Sequence, residues 1–360
     1  MHVGGEFSND RRWKLAERKP FPYQTGLTYF LNGGQACLRV IADWLCEHGI
    51  RRILLPSYLC PTISGVFAQY GMKMEFYRIR EDFSVDLDHL HQLAAAYPNP
   101  AIYFINYFGF TPSQKEIAFL LELQHSKLIL VEDNAQAGFH EHPIGDFVFN
   151  SLRKLCPFDG AYLQSRFPLQ ETIDRYKGQI NHRLPLIRRY REQYARYLAG
   201  EDIEPEVLDE LFAQSESYYA ADKVVAGDGI EQVGIESLDW LGIRQARRDN
   251  FDYLVKAVTE ITEITPVYSE LQESNIPFGL PVYFTKVSRD AVNRLLGNAR
   301  IGLTIHWEEM HKPPLTTPQA EAMAMSQRLL TLAVDQYTDR AQLDYLVKQL
   351  CLAIIQVKKG

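Results

Sequence analysis

The sequence predicts an α/β protein built on a mainly parallel β-sheet, and three observations support this prediction. Short apolar runs alternate with helical patterns between residues 52 and 123, which is the spacing of strand–helix–strand crossover units. The apolar run at residues 128–131 ends in polar residues, as a buried parallel strand does at its carboxyl end. A length of 360 residues with 46% hydrophobic residues suits one large domain and a smaller one.

The individual elements follow from apolar periodicity. We expect strands at 52–56, 73–77 and 101–106, alternating with helices at 63–70, 87–95 and 114–123. Further along, residues 186–198 combine leucines with arginines, which predicts a solvated amphipathic helix, and the Gly- and Asp-rich residues 220–231 predict a loop.

Three regions of the chain differ in character. Residues 1–24 are polar and contain Lys19-Pro20-Phe21-Pro22, which is typical of a tail or of an arm that reaches a partner subunit. Residues 25–245 carry the strand and helix alternation, and we assign them to the large domain. Residues 246–360 mix strand patterns with a long final helix, and we assign them to a smaller α+β domain.

Composition excludes several classes of protein. The net charge of -7 is mild and the basic residues are scattered, so we expect no nucleic-acid partner. Five cysteines are an odd number without metal-ligand spacing, which predicts free thiols, no metal site and a reducing compartment. No apolar run reaches 18 residues, so we expect a cytoplasmic protein without a membrane partner.

The chemistry is expected where the strand at residues 128–134 ends. Asp133 and Gln136 lie at its carboxyl end, where open α/β sheets bind ligands, and Lys154 follows between two more strand-like runs. A carboxylate and a lysine in one pocket suit pyridoxal 5'-phosphate (PLP), whose aldehyde needs a lysine and whose ring nitrogen needs an acid. For both residues, a structural role remains the alternative.

A second candidate lies where paired glycines begin a helix. Gly33-Gly34 follow a short apolar run and precede a helical pattern at residues 36–46. Free backbone N–H groups at such a helix start bind phosphate, although a simple turn would show the same sequence.

These segments resemble the DegT/DnrJ/EryC1/StrS family of PLP-dependent sugar aminotransferases. The resemblance is carried by Val131-Glu-Asp-Asn-Ala-Gln136 and by Gly145-Asp146 with Ser151 and Lys154, and more weakly by residues 33–38 and 332–335. It implies fold type I, with a mainly parallel seven-stranded sheet sandwiched by helices in the large domain. It also implies PLP as cofactor, glutamate as amino donor, a nucleotide-linked keto-sugar as acceptor, and a homodimer.

The resemblance also implies roles for individual residues. Lys154 would form the Schiff base, Asp133 would contact the ring nitrogen and Gln136 the phenolic oxygen. The other residues expected to bind the cofactor are Gly34, Gln35, Ala36, Ser151, Cys60 and Tyr58. Cys60 occupies the position of the family's stacking aromatic residue, so Tyr58 is the candidate to stack instead. The residues expected to face the substrate are Tyr107, His306 and Trp307.

Two departures from the family pattern keep other functions open. The loop from Ser151 to Lys154 is two residues shorter than usual, so Arg153 is a further candidate for the phosphate. The family's Gly-x-Asn-x-Arg segment, whose Asn reaches the partner subunit's phosphate, has no match in the sequence. The alternatives are a PLP-dependent sugar dehydratase, which Lys154 disfavours because that branch has histidine there, and a non-catalytic relative that keeps the fold for binding.

Overall fold

The computed structural model describes residues 1–8, 12–14, 26–139, 142–307, 310 and 320–359. Most of the N-terminal 24 residues, including Lys19-Pro20-Phe21-Pro22, therefore lie outside the described part of the chain.

A seven-stranded sheet forms the centre of the larger part of the molecule. Its strands, in spatial order, are β2 (Leu27–Leu31), β8 (Ala161–Ser165), β7 (Phe147–Asn150), β6 (Leu130–Asn134), β5 (Ala101–Ile105), β3 (Arg52–Pro56) and β4 (Lys73–Tyr77). Only β8 runs antiparallel to its neighbours, and the other four pairings are parallel. The mainly parallel, seven-stranded sheet expected from the sequence is thus confirmed.

Helices connect and flank these strands. They are α1 (Gly34–Glu47), α2 (Pro61–Gln69), α3 (Leu87–Ala96), α4 (Gln114–His125) and α5 (Gln170–Asp174). The strands β3, β5 and β6 are buried along almost their whole length, because both faces of a parallel sheet are covered. This burial explains why they appear in the sequence as continuous apolar runs.

A helical hairpin follows the sheet and differs from its prediction in one respect. It consists of α6 (Arg183–Leu198) and α7 (Pro205–Ala221), and α8 (Gly229–Glu236) comes next. Residues 222–228 lie outside these helices, so most of the stretch predicted as a loop at 220–231 is a loop. The expectation of a solvated amphipathic helix at 186–198 was wrong for Arg191, which is only 4% exposed, whereas Arg189 and Arg196 are exposed. Arg191 is buried against the carboxylate of Asp159, a partner that is remote in the sequence.

The C-terminal part contains a three-stranded antiparallel sheet. Its strands are β9 (Ile264–Pro266), β10 (Gly279–Phe284) and β12 (Leu329–Ala333), with β10 in the middle. The helices of this part are α10 (Arg289–Asn298), α11 (Ala320–Arg328) and α12 (Arg340–Lys359). The long helix α9 (Trp240–Val258) leads into it, so the boundary predicted at residue 245 lies inside a helix. We propose the same division of the chain, with α9 as the connecting helix.

The first eight residues fold onto the C-terminal part. Strand β1 (Val3–Gly4) pairs in parallel with β11 (Ile301–Gly302), and Val3 is 1% exposed. The carbonyl of His2 accepts a hydrogen bond from the Gln342 side chain at 2.6 Å, and the His2 ring contacts Tyr194 of α6. The N-terminal segment therefore connects α6 to β11 and α12 within one chain.

Two kinds of feature are absent from the described residues. No described helix combines the length and apolarity that crossing a bilayer requires. No group of three or more described His, Cys, Asp and Glu side chains has the arrangement of a metal site.

Candidate active site

The end of β6 presents two neighbouring carboxylates to opposite surroundings. Glu132 accepts hydrogen bonds from the backbone of Ile144 and Gly145 and from the side chains of Asn106 and Asn134. Successive side chains of a strand point to opposite faces, so Asp133 faces the other way. Glu132 therefore belongs to the framework, whereas Asp133 faces a cavity in which a ligand can bind.

Asp133 is a buried carboxylate with two protein donors. The hydroxyl of Tyr103 donates to Oδ2 at 2.5 Å, and the backbone N–H of Ala135 donates to Oδ1 at 2.7 Å. Burial raises the pKa of the Asp133 carboxyl, while the hydrogen bonds and the nearby Lys154 oppose this shift. A cationic group bound beside Asp133 would stabilise its ionised form.

The start of α1 lies at the same end of the sheet. The helix begins at Gly34 after Gly33, whose φ of 150° disfavours other residues, and no side chain caps its first N–H groups. A side chain at position 33 would also meet the Tyr219 hydroxyl, 3.0 Å from an ideal Cβ. The start of α1 therefore offers free backbone donors and no acidic residue, which suits an anion.

Lys154 ends a short 3₁₀ turn between β7 and β8. The turn covers Leu152–Lys154 and is fixed by a hydrogen bond from the Leu152 N–H to the Gly160 carbonyl at 2.9 Å. Burial lowers the pKa of the Lys154 ammonium, although the neighbouring Cys60 and Asp133 act in the opposite direction. A larger fraction of Lys154 is therefore an uncharged, nucleophilic amine than for an exposed lysine.

These three features surround one cavity of about 220 Å³, which we call the first cavity. The residues expected from the sequence that line it are Gly34, Gln35, Cys60, Asp133, Gln136, Ser151, Lys154 and Trp307. The side-chain oxygen of Gln136 accepts from the Phe108 N–H at 2.8 Å, whereas its buried Nε2 has no partner among the described residues. An unpaired buried donor in a cavity wall indicates a ligand that carries an acceptor.

A second cavity of about 300 Å³ adjoins the first. The two cavities share four lining residues, which are Cys60, Arg153, Lys154 and Trp307. The other walls of the second cavity come from residues 4–7 of the N-terminal segment, Arg247, Phe278, residues 302–306 and residues 331–335. Lys154 is therefore accessible from both cavities.

Some residues expected at the site lie elsewhere. Ala36 is buried within α1, and neither Tyr58 nor Tyr107 lines either cavity. The Tyr58 hydroxyl donates to the His306 carbonyl, and the Tyr107 hydroxyl donates to the Tyr58 carbonyl. The Tyr58 ring is packed among other aromatic rings, so Tyr58 does not stack on a ligand in either cavity.

His306 lines the second cavity rather than the first. Its Nδ1 lies 3.0 Å from the Thr331 hydroxyl, and burial lowers the pKa of its ring to about 3. His306 is therefore a neutral, packed residue at the wall.

The first cavity has three further lining residues. The sequence predicted neither Glu216 nor Tyr219, and it indicated Arg153 only as a further candidate for the phosphate. Glu216 and Tyr219 come from α7, and Arg153 precedes the lysine. The Arg153 guanidinium lies over the Tyr219 ring, with 4.6 Å to its centroid, and pairs with Glu216 at 3.4 Å. Only the three-dimensional contact of the hairpin with the Lys154 loop identifies Glu216 and Tyr219, since their own sequence surroundings are those of an ordinary helix.

A buried ionic network fixes this hairpin to the Lys154 loop. Asp159, five residues after Lys154, pairs with Arg183 and accepts from Arg191 at 2.7 Å. Arg183 also donates to Glu216 at 2.9 Å. Removing one member of such a network leaves an unpaired buried charge, so the network holds the cavity wall in one position.

One segment is similar to part of the Gly-x-Asn-x-Arg motif, for which the sequence has no exact match. Gly178-Gln-Ile-Asn181-His-Arg183 has the Asn-x-Arg order with one additional residue after the glycine. The Asn181 side chain accepts from the Leu184 N–H at 3.1 Å and donates to Asn32 at 2.8 Å, next to the Gly33-Gly34 turn. The segment does not match the motif because two residues, and not one, separate Gly178 from Asn181.

Comparisons with known proteins establish the fold. No protein-family model and no curated protein sequence matches the chain. Among solved structures, PseC of Helicobacter pylori, an aminotransferase of pseudoaminic acid biosynthesis, matches with a TM-score of 0.66 and 12% identity, covering 92% of this chain and 87% of PseC.

Two further structures agree. The aminotransferase TlmJ of Streptoalloteichus hindustanus gives a TM-score of 0.65 and 14% identity, covering 92% of this chain and 86% of TlmJ. A DegT/DnrJ/EryC1/StrS aminotransferase of Brucella abortus gives 0.61 and 16%, covering 90% of this chain and 85% of that one. The chain therefore has the fold of fold type I PLP-dependent aminotransferases, as the sequence resemblance implied.

Proposed function

We propose that the protein is a PLP-dependent aminotransferase whose acceptor is a keto-sugar. The observation that carries the proposal is that Lys154 and Asp133 line one cavity, together with the uncapped start of α1. This combination supplies a nucleophilic amine, a carboxylate and an anion-binding helix end, which are the three groups that PLP requires. The neighbouring structures support the same activity, because they are aminotransferases.

The residues present fit the cofactor. Gly34 and Gln35 at the start of α1, with the Ser151 hydroxyl, would hold the phosphate. The unpaired Nε2 of Gln136 would donate to the phenolic oxygen of the ring, and Asp133 would accept from the ring nitrogen. Cys60 and Trp307 would contact the ring in place of the family's stacking residue.

The chain's own groups would then divide the work. When bound, PLP supplies an aldehyde and an electron-withdrawing ring. Lys154 would bond to the aldehyde and, once displaced by an amine substrate, move a proton at the substrate carbon, because it is accessible from both cavities. Asp133 would keep the ring nitrogen protonated, and Tyr103 and the Ala135 N–H would hold its carboxylate in position.

We further propose glutamate as amino donor and a nucleotide-linked keto-sugar as acceptor. Substrates would occupy the second cavity, which adjoins Lys154 and is larger than the first. The support for this part is the family resemblance and the description of PseC as an enzyme of pseudoaminic acid biosynthesis.

Single-turnover chemistry tests the activity. The purified protein, loaded with PLP and freed of excess cofactor, is mixed with L-glutamate alone. We expect one equivalent of 2-oxoglutarate per cofactor, and continued turnover only after a nucleotide-linked keto-sugar is added. A protein that binds PLP but yields no 2-oxoglutarate with glutamate or any other amino acid is not an aminotransferase, and the non-catalytic alternative would then stand.

We also propose that the working unit is a homodimer. Four apolar side chains are strongly exposed, with exposures from 57% to 70%: Ile230 and Val233 on α8, Leu241 at the start of α9 and Ile180 shortly before α6. A partner subunit that covers them would remove a large apolar surface from water. Ile180 adjoins Asn181, so this face would also bring the Asn-x-Arg segment to the interface.

Light scattering of dilute protein checks the dimer. We expect Leu241→Asp to produce monomers, because a charge at a buried interface is strongly unfavourable. Leu352→Asp serves as the matched control, since Leu352 is 49% exposed on the distant helix α12. A monomeric wild-type protein, or a Leu241→Asp variant that stays dimeric, contradicts the proposed interface.

A further inference from the structure

Residues 2–7 carry the chain from the C-terminal part into the wall of the second cavity. Val3 is buried, its N–H donates to the Arg300 carbonyl at 3.2 Å, and β1 pairs with β11. Gly4 and Gly5 then have φ angles of 66° and 89°, which favour glycine. The four residues that follow Val3 line the second cavity. This segment is therefore a fixed part of the cavity wall.

The backbone at Gly4 leaves no room for a side chain. An ideal Cβ at position 4 would overlap the carbonyl oxygen of Gly302 in β11. The close approach of these two backbones fixes where the next side chains, Glu6 and Phe7, enter the cavity wall. A larger residue at position 4 should therefore displace both side chains.

Among the described residues, two carboxylates line the second cavity, and Glu6 differs from the other. The Asp335 oxygens accept hydrogen bonds from the Tyr337 N–H at 2.9 Å and the Thr338 hydroxyl at 2.8 Å. Glu6 is half-buried and has neither a hydrogen bond nor an ion pair with any described residue. A carboxylate in a cavity wall without a protein donor is free to accept from a ligand.

The Glu6 carboxylate lies near the Lys154 loop. Burial disfavours the charge of Arg153, but its phenolic and anionic neighbours, Glu6 among them, raise its pKa. Arg153 directly precedes Lys154 and already pairs with Glu216 at 3.4 Å. Glu6 therefore acts on Arg153 from a longer distance and does not serve as its counter-ion, so its oxygens remain available inside the cavity.

Aromatic rings accompany Glu6 in the same wall. Phe7, Phe278 and Trp307 line the second cavity, and Trp307 also lines the first. A sugar ring has hydroxyl groups on its rim, which donate to carboxylates, and C–H groups on its faces, which pack against aromatic rings. The wall therefore offers groups that match both kinds of sugar surface.

We propose that Glu6 binds hydroxyl groups of the acceptor sugar in the second cavity, and that the N-terminal segment thereby selects the acceptor. The inference rests on the proposed function and adds to it a residue that recognises the sugar. Charge-assisted hydrogen bonds from two hydroxyl groups to one carboxylate would orient the ring relative to Lys154. The amino donor has no such hydroxyl groups, so its half-reaction should not depend on Glu6.

Amine exchange at the PLP-loaded protein tests the inference. The probes are three amino sugars, D-glucosamine, kanosamine and viosamine, which carry the amine on different ring carbons, and cyclohexylamine, which has no hydroxyl group. Each amine displaces Lys154 from the cofactor, and stopped-flow absorbance of the cofactor gives the rate constant. We expect the wild type to react with at least one amino sugar. Glu6→Gln should lower that rate constant by about 10- to 150-fold, the range for hydrogen bonds to a charged group. Its rate constants for cyclohexylamine and for L-glutamate should be unchanged.

Three further variants accompany this test. Glu201→Gln is the matched control, because Glu201 is an exposed carboxylate that pairs with Arg196, and it should match the wild type with every probe. Glu6→Asp keeps the charge and should lose less than Glu6→Gln. Gly4→Val should slow the amino sugars relative to cyclohexylamine, because it displaces the Glu6 carboxylate without removing it.

The inference is overturned if the wild type reacts with none of the three amino sugars, or if Glu6→Gln reacts with them at the wild-type rate. It is also overturned if Glu6→Gln slows cyclohexylamine as strongly as the amino sugars, because a purely structural role of Glu6 would have that effect. Failure of the proposed function looks different, because the wild type would then form no 2-oxoglutarate from L-glutamate.

Discussion

The two cavities that meet at Lys154 are assembled from different kinds of sequence. The first cavity takes its polar groups from strand ends and a helix start in the sheet, such as Asp133, Ser151 and Gly34. The second cavity takes its walls from the N-terminal segment, from α9 and from loops around the small sheet, which are far apart in the chain. In the proposed enzyme, the sheet holds the cofactor and the peripheral segments select the substrates. Changes in the two cavities should therefore have separable effects.

The largest effect is expected at the residue that both cavities share. Lys154→Ala should lower turnover by about 10³-fold or more, because it removes both the bond to the aldehyde and the proton-transferring group. The fold should remain intact, since Lys154 is partly exposed at the end of a short 3₁₀ turn and does not belong to the apolar core. Steady-state kinetics and circular dichroism measure the two expectations.

Lys177→Ala is the control for this prediction, since Lys177 is 70% exposed by its side chain and pairs with Asp174. It should behave as the wild type. Near-normal turnover of Lys154→Ala would remove the basis of the proposed chemistry.

Substitutions of the two carboxylates of β6 should have different effects, one on catalytic rate and the other on stability. Asp133→Asn should lower the rate of the glutamate half-reaction by roughly 10²- to 10³-fold, because a neutral amide cannot stabilise a protonated ring nitrogen. Glu132→Gln should instead destabilise the fold by about 1–3 kcal/mol, because two of its four donors would face an amide nitrogen.

Stopped-flow absorbance and urea unfolding distinguish the two carboxylates. If Asp133→Asn reacts at the wild-type rate while Glu132→Gln loses activity at unchanged stability, the assignment of the two side chains must be reversed.

The next effect concerns pH and the second cavity. Burial lowers the pKa of His306 to about 3, so the unfolded chain binds the more protons between about pH 3 and the ordinary histidine value near 6.5. Stability should therefore fall as the pH falls, with His306 accounting for about 2 kcal/mol at pH 5.

Urea unfolding of His306→Gln between pH 7.5 and pH 5 should show a shallower loss of stability than the wild type. His91→Gln, at an exposed position of α3, is the control and should retain the wild-type slope. Equal slopes for all three proteins would show that His306 is not held neutral by the fold. Because His306 lies outside the first cavity, its variant should bind PLP normally.

The smallest effect is expected at the phosphate end of the first cavity. Ser151→Ala should weaken PLP binding about tenfold, as the loss of one hydrogen bond to a charged group predicts. The helix N-terminus would still hold most of the phosphate. Fluorescence titration of the apoprotein with PLP measures the change, and an affinity equal to that of the wild type would contradict a phosphate contact by Ser151.

The comparison of the two cavities also explains what the sequence could predict. Asp133, Gln136 and Lys154 could be predicted because apolar periodicity indicates where strands end, and ligand-binding groups lie at such strand ends within a short stretch of chain. Cys60 was implied by the family resemblance, and Gly34 by the paired glycines at the start of a helix. The sheet was predictable for the same reason, since buried parallel strands are continuous apolar runs.

The remaining features depend on contacts between distant segments. Glu216 and Tyr219 lie on a helix that looks ordinary, and only its packing brings them to the first cavity. Arg191 looked solvated because its partner Asp159 is 32 positions away in the sequence. Tyr58 was expected in the cavity from its strand-end position, but its hydroxyl is engaged by the His306 carbonyl of the C-terminal part. Local periodicity contains no information on such partners.

Chemical trapping of the cofactor tests the central claim most directly. The protein is incubated with PLP, reduced with borohydride and digested with trypsin, and the labelled peptide is sequenced by mass spectrometry. We expect the label on Lys154 in a peptide that runs to Arg166, because trypsin cleaves after Arg153 and does not cleave at a modified lysine. A label on another lysine, such as Lys127 or Lys177, or no label at saturating PLP, would contradict the account.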